Sequence, residues 1–108
     1  MNIPEKGDLV FMNFSPQSGH EQAGQRPGIV LSPYEFNEKT KFAIVCPITS
    51  KVKGYPFEVE LPEDVSIQGV ILTDQLRSID YRSRDFEIAE KAPEIIVERC
   101  FKKIRTFL

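Results

Sequence analysis

The apolar stretches of this chain are short and closely spaced, and that limits the folds open to it. LVFMNF (9–14), GIVLS (28–32), KFAIVCPIT (41–49), FEVEL (57–61) and VILTDQLRSID (70–80) follow one another with little between them. Eight prolines and six glycines punctuate the chain. Short runs rich in β-branched and aromatic residues, bounded by such breakers, read as strands. FEVEL alternates, so Phe57, Val59 and Leu61 are expected inward and Glu58 and Glu60 outward. Pro47 inside the third run predicts an edge strand or a bulge. Residues 15–25 carry Pro16, Gly19 and Gly24 and read as a long exposed loop.

Two helices are expected. Ser32-Pro33-Tyr34-Glu35 has the form of a capping box with proline at the first helical position. Pro93 opens the second, with Glu94 favourably placed near the N-terminal dipole. Val97, Cys100, Phe101, Ile104 and Leu108 then follow at steps of three, one, three and four residues, one apolar stripe. Five or six short strands, a short helix and a C-terminal amphipathic helix make an α+β, mostly β chain. Hairpin-length links favour a small antiparallel barrel or half-barrel.

At 108 residues the chain fits one domain with one core, spanning 1–108. No apolar run approaches the roughly 20 residues of a membrane span, so no membrane association is expected. MNIPEKGD lacks a basic segment followed by an apolar one, so no secretory signal is expected. Cys46 and Cys100 are far apart, in no metal-ligand spacing, and read as buried thiols. These features point to the cytoplasm.

Net charge is −2, so composition alone implies no polyanion partner. Charge position says more. Lys51 and Lys53 cluster, as do Arg77, Arg82 and Arg84, while acidic residues gather over 58–64 and 85–98. A locally basic groove can bind phosphates on an acidic protein.

EQAGQRPGIVLSP (21–33) crowds Glu21, Gln22 and Arg26 at the entrance of a buried strand. Pro27 biases Arg26 toward extended backbone. Its guanidinium there is either a planar fork of donors for a phosphate or half of an ion pair with Glu21. Thr49, Ser50 and Lys51 end the third strand with hydroxyls and a cation; they serve either a turn or phosphoryl oxygens. Glu21 is a general base if it reaches a hydroxyl, and otherwise a solvated charge. His20 is the one histidine, which excludes a two-histidine ribonuclease mechanism. No phosphate-binding loop, dinucleotide fingerprint, metal cluster or nucleophile elbow occurs, so no metal or nucleotide cofactor is expected.

Three ordered segments together resemble the MazF/PemK family of toxin endoribonucleases from bacterial toxin–antitoxin systems. The first is Gly7-Asp8, a strand, then EQAGQRP (21–27) and an apolar run ending Leu31-Ser32-Pro33. The second is Pro47-Ile48-Thr49 followed by KGYPFEV (53–59). The third is DQLRSID (74–80). The resemblance implies an SH3-like barrel with appended helices, a homodimer, and metal-free cleavage of single-stranded RNA. The products would be a 2′,3′-cyclic phosphate and a 5′-hydroxyl. By that resemblance Arg26 and Thr49 are catalytic and Glu21 is the proposed base. Gln22, Phe14, Tyr55 and Gln75 are candidates to stack on or read bases, with Phe14 and Tyr55 alternatively core or hinge residues. Lys51, Lys53 and Arg77 are candidates to track phosphates. A cognate antitoxin with an extended acidic C-terminal tail is the implied protein partner. The rival of similar fold, a gyrase-poisoning CcdB-type toxin, depends on a C-terminal tryptophan, and this chain has none.

Overall fold

The computed structural model describes residues 2–15 and 24–108. Seven strands appear: β1 (Asp8–Asn13), β2 (Gln25–Val30), β3 (Ala43–Thr49), β4 (Glu58–Glu60), β5 (Val70–Leu72), β6 (Arg77–Ile79) and β7 (Glu87–Lys91). The helices are α1 (Tyr34–Thr40) and α2 (Glu94–Ile104), with single 3-10 turns at Thr73–Gln75 and Tyr81–Ser83. The sheet runs β4-β5-β3-β2-β1-β7, with β6 also pairing β3, and all pairs are antiparallel. Among the described residues no helix is long and apolar enough to cross a membrane.

β3 is central, so of the two readings of Pro47, an edge strand or a bulge, the edge does not hold. It pairs with β2 along one side and, on the other, with β6 at Ala43–Val45 and β5 at Ile48–Thr49. Pro47 falls in the gap where β3 passes from one partner to the next. A missing N–H is tolerated where the ladder is already interrupted. β2 begins at Gln25, three residues before the strand expected from the sequence, so Arg26 and Pro27 are inside it, opposite Met12 and Phe11. The strand missed in the sequence is β7. Glu87, Glu90 and Lys91 hide its alternation, because neither face is fully buried.

Among the described residues the sheet is not closed into a barrel by strand pairing; β4 and β7 are its two ends. The seam is clasped by side chains instead: Glu90 accepts hydrogen bonds from both the N–H and the hydroxyl of Ser66, in the loop after β4. Alternation along β1, β2 and β3 sorts the core into two faces. Leu9, Ile29, Cys46 and Ile48 pack with Ile71 and with Ile96, Cys100 and Ile104 of α2. Val10, Met12, Phe14, Val30 and Val45 pack with Ile79 and Tyr81.

The α2 stripe is shifted from the expected one. Ile96, Cys100 and Ile104 are the buried residues, Val97 and Phe101 flank them, and Leu108 lies beyond the helix end, 85% exposed. Pro93 is the cap residue rather than the first helical one. The expected capping box before α1 does not form. The Ser32 hydroxyl donates to Asn37 Oδ1 at 2.5 Å and accepts from Ile44 N–H at 2.8 Å. A fully buried asparagine needs such partners more than a solvent-facing helix start does. Asn37 Nδ2 also donates to the carbonyls of Pro4 and Ser32, and Asn37 O accepts from the Tyr81 hydroxyl. The whole of α1 is pinned through one side chain.

Candidate active site

Arg26 and Thr49 come from neighbouring strands. In β2 and β3 the last paired positions are Gly28 and Pro47. Arg26 and Thr49 each lie two residues beyond that last pair, so the alternation of each strand assigns both side chains to the same face of the sheet. Met12, directly opposite Arg26, is fully buried on that face, and Arg26 is half-buried. Thr49 is buried, and its hydroxyl oxygen accepts the Lys51 N–H at 3.1 Å. Pairing with Val70 of β5 holds the Thr49 backbone.

Thr49 forms one wall of a cleft of about 510 Å³ whose other lining residues include Lys51, Lys53, Tyr55, Asp74 and Gln75. The loop between β3 and β4 presents the cations. The Glu58 carboxylate organises that loop, accepting from the N–H groups of Lys53 at 3.2 Å and Gly54 at 3.0 Å. Lys53 Nζ lies 5.8 Å from the centre of the Tyr55 ring, and Tyr55 is 57% exposed. An exposed aromatic face beside two ammonium groups is suited to an unstacked base and its phosphate. Gln75 reaches the cleft from the 3-10 turn after β5. Lys51, Lys53, Tyr55, Gln75 and Thr49 are therefore brought together.

Two carboxylates in this cleft were not foreseen. Glu58 was expected simply to face water; it turns back onto the loop instead. Asp74 sits beside Gln75 on the same turn. The motif DQ carried a signal, since both residues of a one-turn element reach the same space.

Phe14 does not fit the expected stacking role. Its ring is fully buried, with no face open to a base, and it packs so closely over Gly28 that a Cβ there would lie 2.9 Å from Phe14 Cζ. Arg77 is also differently employed. Its guanidinium donates to the Phe14 carbonyl at 2.6 Å and lies 5.5 Å from the ring centre. Arg84 donates to the carbonyls of Asn13 and Ser15. The basic cluster foreseen around 77–84 is thus spent largely on backbone at the end of β1. There the chain is closed on itself: Phe14 N–H donates to Gly24 O at 2.9 Å, and Gly24 N–H to Ser15 Oγ at 3.0 Å. Glu21, Gln22 and His20 lie outside the described residues.

Both cysteines are free and buried. Burial pushes the Cys100 thiol up to about 12. Burial also raises Cys46, with Cys100 and Asp74 adding to the effect. Neither is a nucleophile at neutral pH.

With this geometry in hand, comparison with known proteins is direct. Residues 5–108 match the family described as PemK-like, MazF-like toxin of type II toxin–antitoxin system. The chain is 48% identical over 82 residues to the endoribonuclease toxin MazF of Escherichia coli K12, covering 76% of this chain and 73% of that one. Its fold is similar to crystalline MazF from Deinococcus radiodurans, with TM-score 0.94, 45% identity, and 98% and 96% of the two chains covered. The MazE–MazF complex from the same organism aligns with TM-score 0.88 at 45% identity over the same shares. The chain belongs to the PemK-like, MazF-like toxins of type II toxin–antitoxin systems.

Proposed function

We propose that this protein is a sequence-specific, metal-independent endoribonuclease that cleaves single-stranded RNA and is neutralised by a cognate antitoxin. The observation that supports the reading is the pairing of β2 with β3, the strands that carry Arg26 and Thr49, with Thr49 in the wall of a cation-lined cleft. Family membership supplies the reaction class. The chain works in the cytoplasm as one domain over 1–108 and as a homodimer, inhibiting translation and growth.

The ribose 2′-oxygen attacks the adjacent phosphorus as the bond to the 5′-oxygen breaks, and that oxygen takes a proton from water, giving a 2′,3′-cyclic phosphate and a 5′-hydroxyl. Negative charge grows on the nonbridging oxygens as the phosphorane forms. Arg26 and the Thr49 hydroxyl donate to them, each such donor contributing roughly 100- to 1,000-fold. Glu21 accepts the 2′ proton, an effect of about 100- to 10,000-fold. An arginine proton is hard to release, so Arg26 stabilises charge rather than serving as the acid. Lys51 and Lys53 hold phosphates; Tyr55, Gln75 and Gln22 contact bases. An extended acidic antitoxin tail occupies the same cationic cleft, so RNA and antitoxin compete, and both bind more weakly as salt rises.

The test is incubation with a long single-stranded RNA in EDTA, beside Arg26→Ala, with ends mapped by sequencing. Cuts at one short motif with 5′-hydroxyl ends, absent from the variant, support the reading. Intact RNA with the unaltered protein overturns it.

A further inference from the structure

We propose that Arg77 is a positioning residue that holds Arg26 in line with Thr49, and not a phosphate contact; the inference rests on the catalytic reading above. Arg77 belongs to β6 and is paired with Val45 of β3, the strand that ends in Thr49. Its guanidinium crosses the same face of the sheet and donates to the carbonyl of Phe14 at 2.6 Å, just past the end of β1. Phe14 is in turn fixed on both sides of Arg26. Its N–H bonds Gly24 O, two residues before Arg26, and its ring fills the notch over Gly28, two residues after. One side chain therefore ties the Thr49 strand to both flanks of Arg26.

The chemistry of the contact fits bracing better than RNA tracking. The guanidinium is planar and covers the Phe14 ring while one N–H group reaches the carbonyl, so its orientation is fixed by two contacts at once. Arg77 is half-buried, whereas the exposed cations of the cleft are Lys51 and Lys53, and Arg77 is not among the residues lining it. A misplacement of about 1 Å in a catalytic group costs on the order of 100-fold in rate.

The experiment compares Arg77→Met, Arg77→Lys and Phe14→Leu with the unaltered protein. Steady-state cleavage gives kcat and KM, and single-turnover cleavage gives the rate of the chemical step. Affinity is measured over a salt series with a mixed-sequence 2′-O-methyl single-stranded RNA, which lacks the attacking hydroxyl. The bracing role predicts that Arg77→Met lowers kcat about 10- to 100-fold, leaving KM, affinity and salt slope unchanged. Arg77→Lys, which keeps a donor for the carbonyl, recovers most of kcat. Phe14→Leu lowers kcat while leaving the Arg77 charge in place, and carries the test if Arg77→Met does not fold. Placed on Arg26→Ala, Arg77→Met costs no further rate, because the group it positions is gone. A salt slope lowered by about 0.7 with kcat intact identifies a phosphate contact and overturns the proposal. Unchanged kcat in both Arg77→Met and Phe14→Leu also overturns it. If Arg26→Ala itself cleaves normally, the catalytic reading fails instead, whatever Arg77 does.

Discussion

The backbone of Gly69 is pressed against the carbonyl of Thr49: a Cβ at residue 69 would lie 2.2 Å from Thr49 O. Gly69 has φ +122°, a conformation open in practice only to glycine, and it leads directly into Val70, the β5 partner of Thr49. The glycine thus lets β5 close onto the end of β3.

Gly69→Ala is expected to cost more than about 1–3 kcal/mol, since backbone strain and a backbone clash coincide. The clash is relieved by moving Thr49, so cleavage falls further than stability explains. Urea unfolding together with the single-turnover rate at a temperature where the variant is folded checks both. Activity retained at full strength would mean that the displacement does not reach Thr49.

The Ser66–Glu90 clasp predicts a pH signature. Hydrogen bonds from the Ser66 hydroxyl and N–H, opposed by some desolvation, hold the Glu90 carboxyl below its ordinary value. A lowered folded-state value means a contribution present above the unfolded carboxylate range, about pH 4.3, and lost as pH falls through the folded value. Glu90→Gln should therefore be less stable than the unaltered protein near neutrality, and the gap should close in acid. Urea midpoints at neutral and acidic pH test this; a gap that does not depend on pH would remove the charge from the explanation.

Asn37 is expected to be among the most costly polar positions. Truncation to Ala leaves the Ser32 hydroxyl and the carbonyls of Pro4 and Ser32 without the partner they have here. Buried groups left unpaired cost roughly 1–3 kcal/mol each, so about 3 kcal/mol or more is expected. Tyr81→Phe removes a single hydrogen bond to Asn37 O, which keeps the Lys41 N–H as a donor, and should cost about 1 kcal/mol. Thermal or urea unfolding of the two variants gives the ratio directly.

Much of this was legible in the sequence where a residue's role depends on its neighbours along the chain. The apolar runs marked β1 to β5, and Glu94 behind Pro93 marked the start of α2. The segment around Thr49, Lys53, Tyr55 and Gln75 converged on one cleft because β5 pairs with both β4 and the end of β3. What failed depended on distant partners. Ser32 matched a local capping pattern but was claimed by Asn37 and Ile44. Arg77 looked like any surface cation until Phe14, 63 residues earlier, supplied its acceptor. Pro47 marked an interruption correctly and the wrong kind of interruption, since only the sheet order shows where β3 changes partner.

The buried thiols offer a test of the core. With Cys100 at about 12, its thiolate fraction near pH 8 is on the order of 1,000-fold below that of an ordinary cysteine, and burial blocks the reagent as well. Disulfide-exchange reagents should titrate both thiols at once in denaturant and neither quickly in the native protein. Fast native labelling of one thiol would place that side chain at the surface.

Thr49 allows catalysis to be separated from stability. Among the described residues its hydroxyl makes one hydrogen bond, accepting the N–H of the exposed Lys51, a donor that water can satisfy equally well. Thr49→Val keeps the shape and removes the hydroxyl, so the expected loss of stability is within about 1 kcal/mol. If the hydroxyl donates to the phosphorane, the same change lowers kcat by roughly 100- to 1,000-fold, and Thr49→Ser recovers most of it. Single-turnover rates of the three proteins on one RNA decide the matter. A valine variant that cleaves normally would remove Thr49 from the reaction and move attention across the cleft, to Asp74 and Gln75, as the groups facing the scissile phosphate.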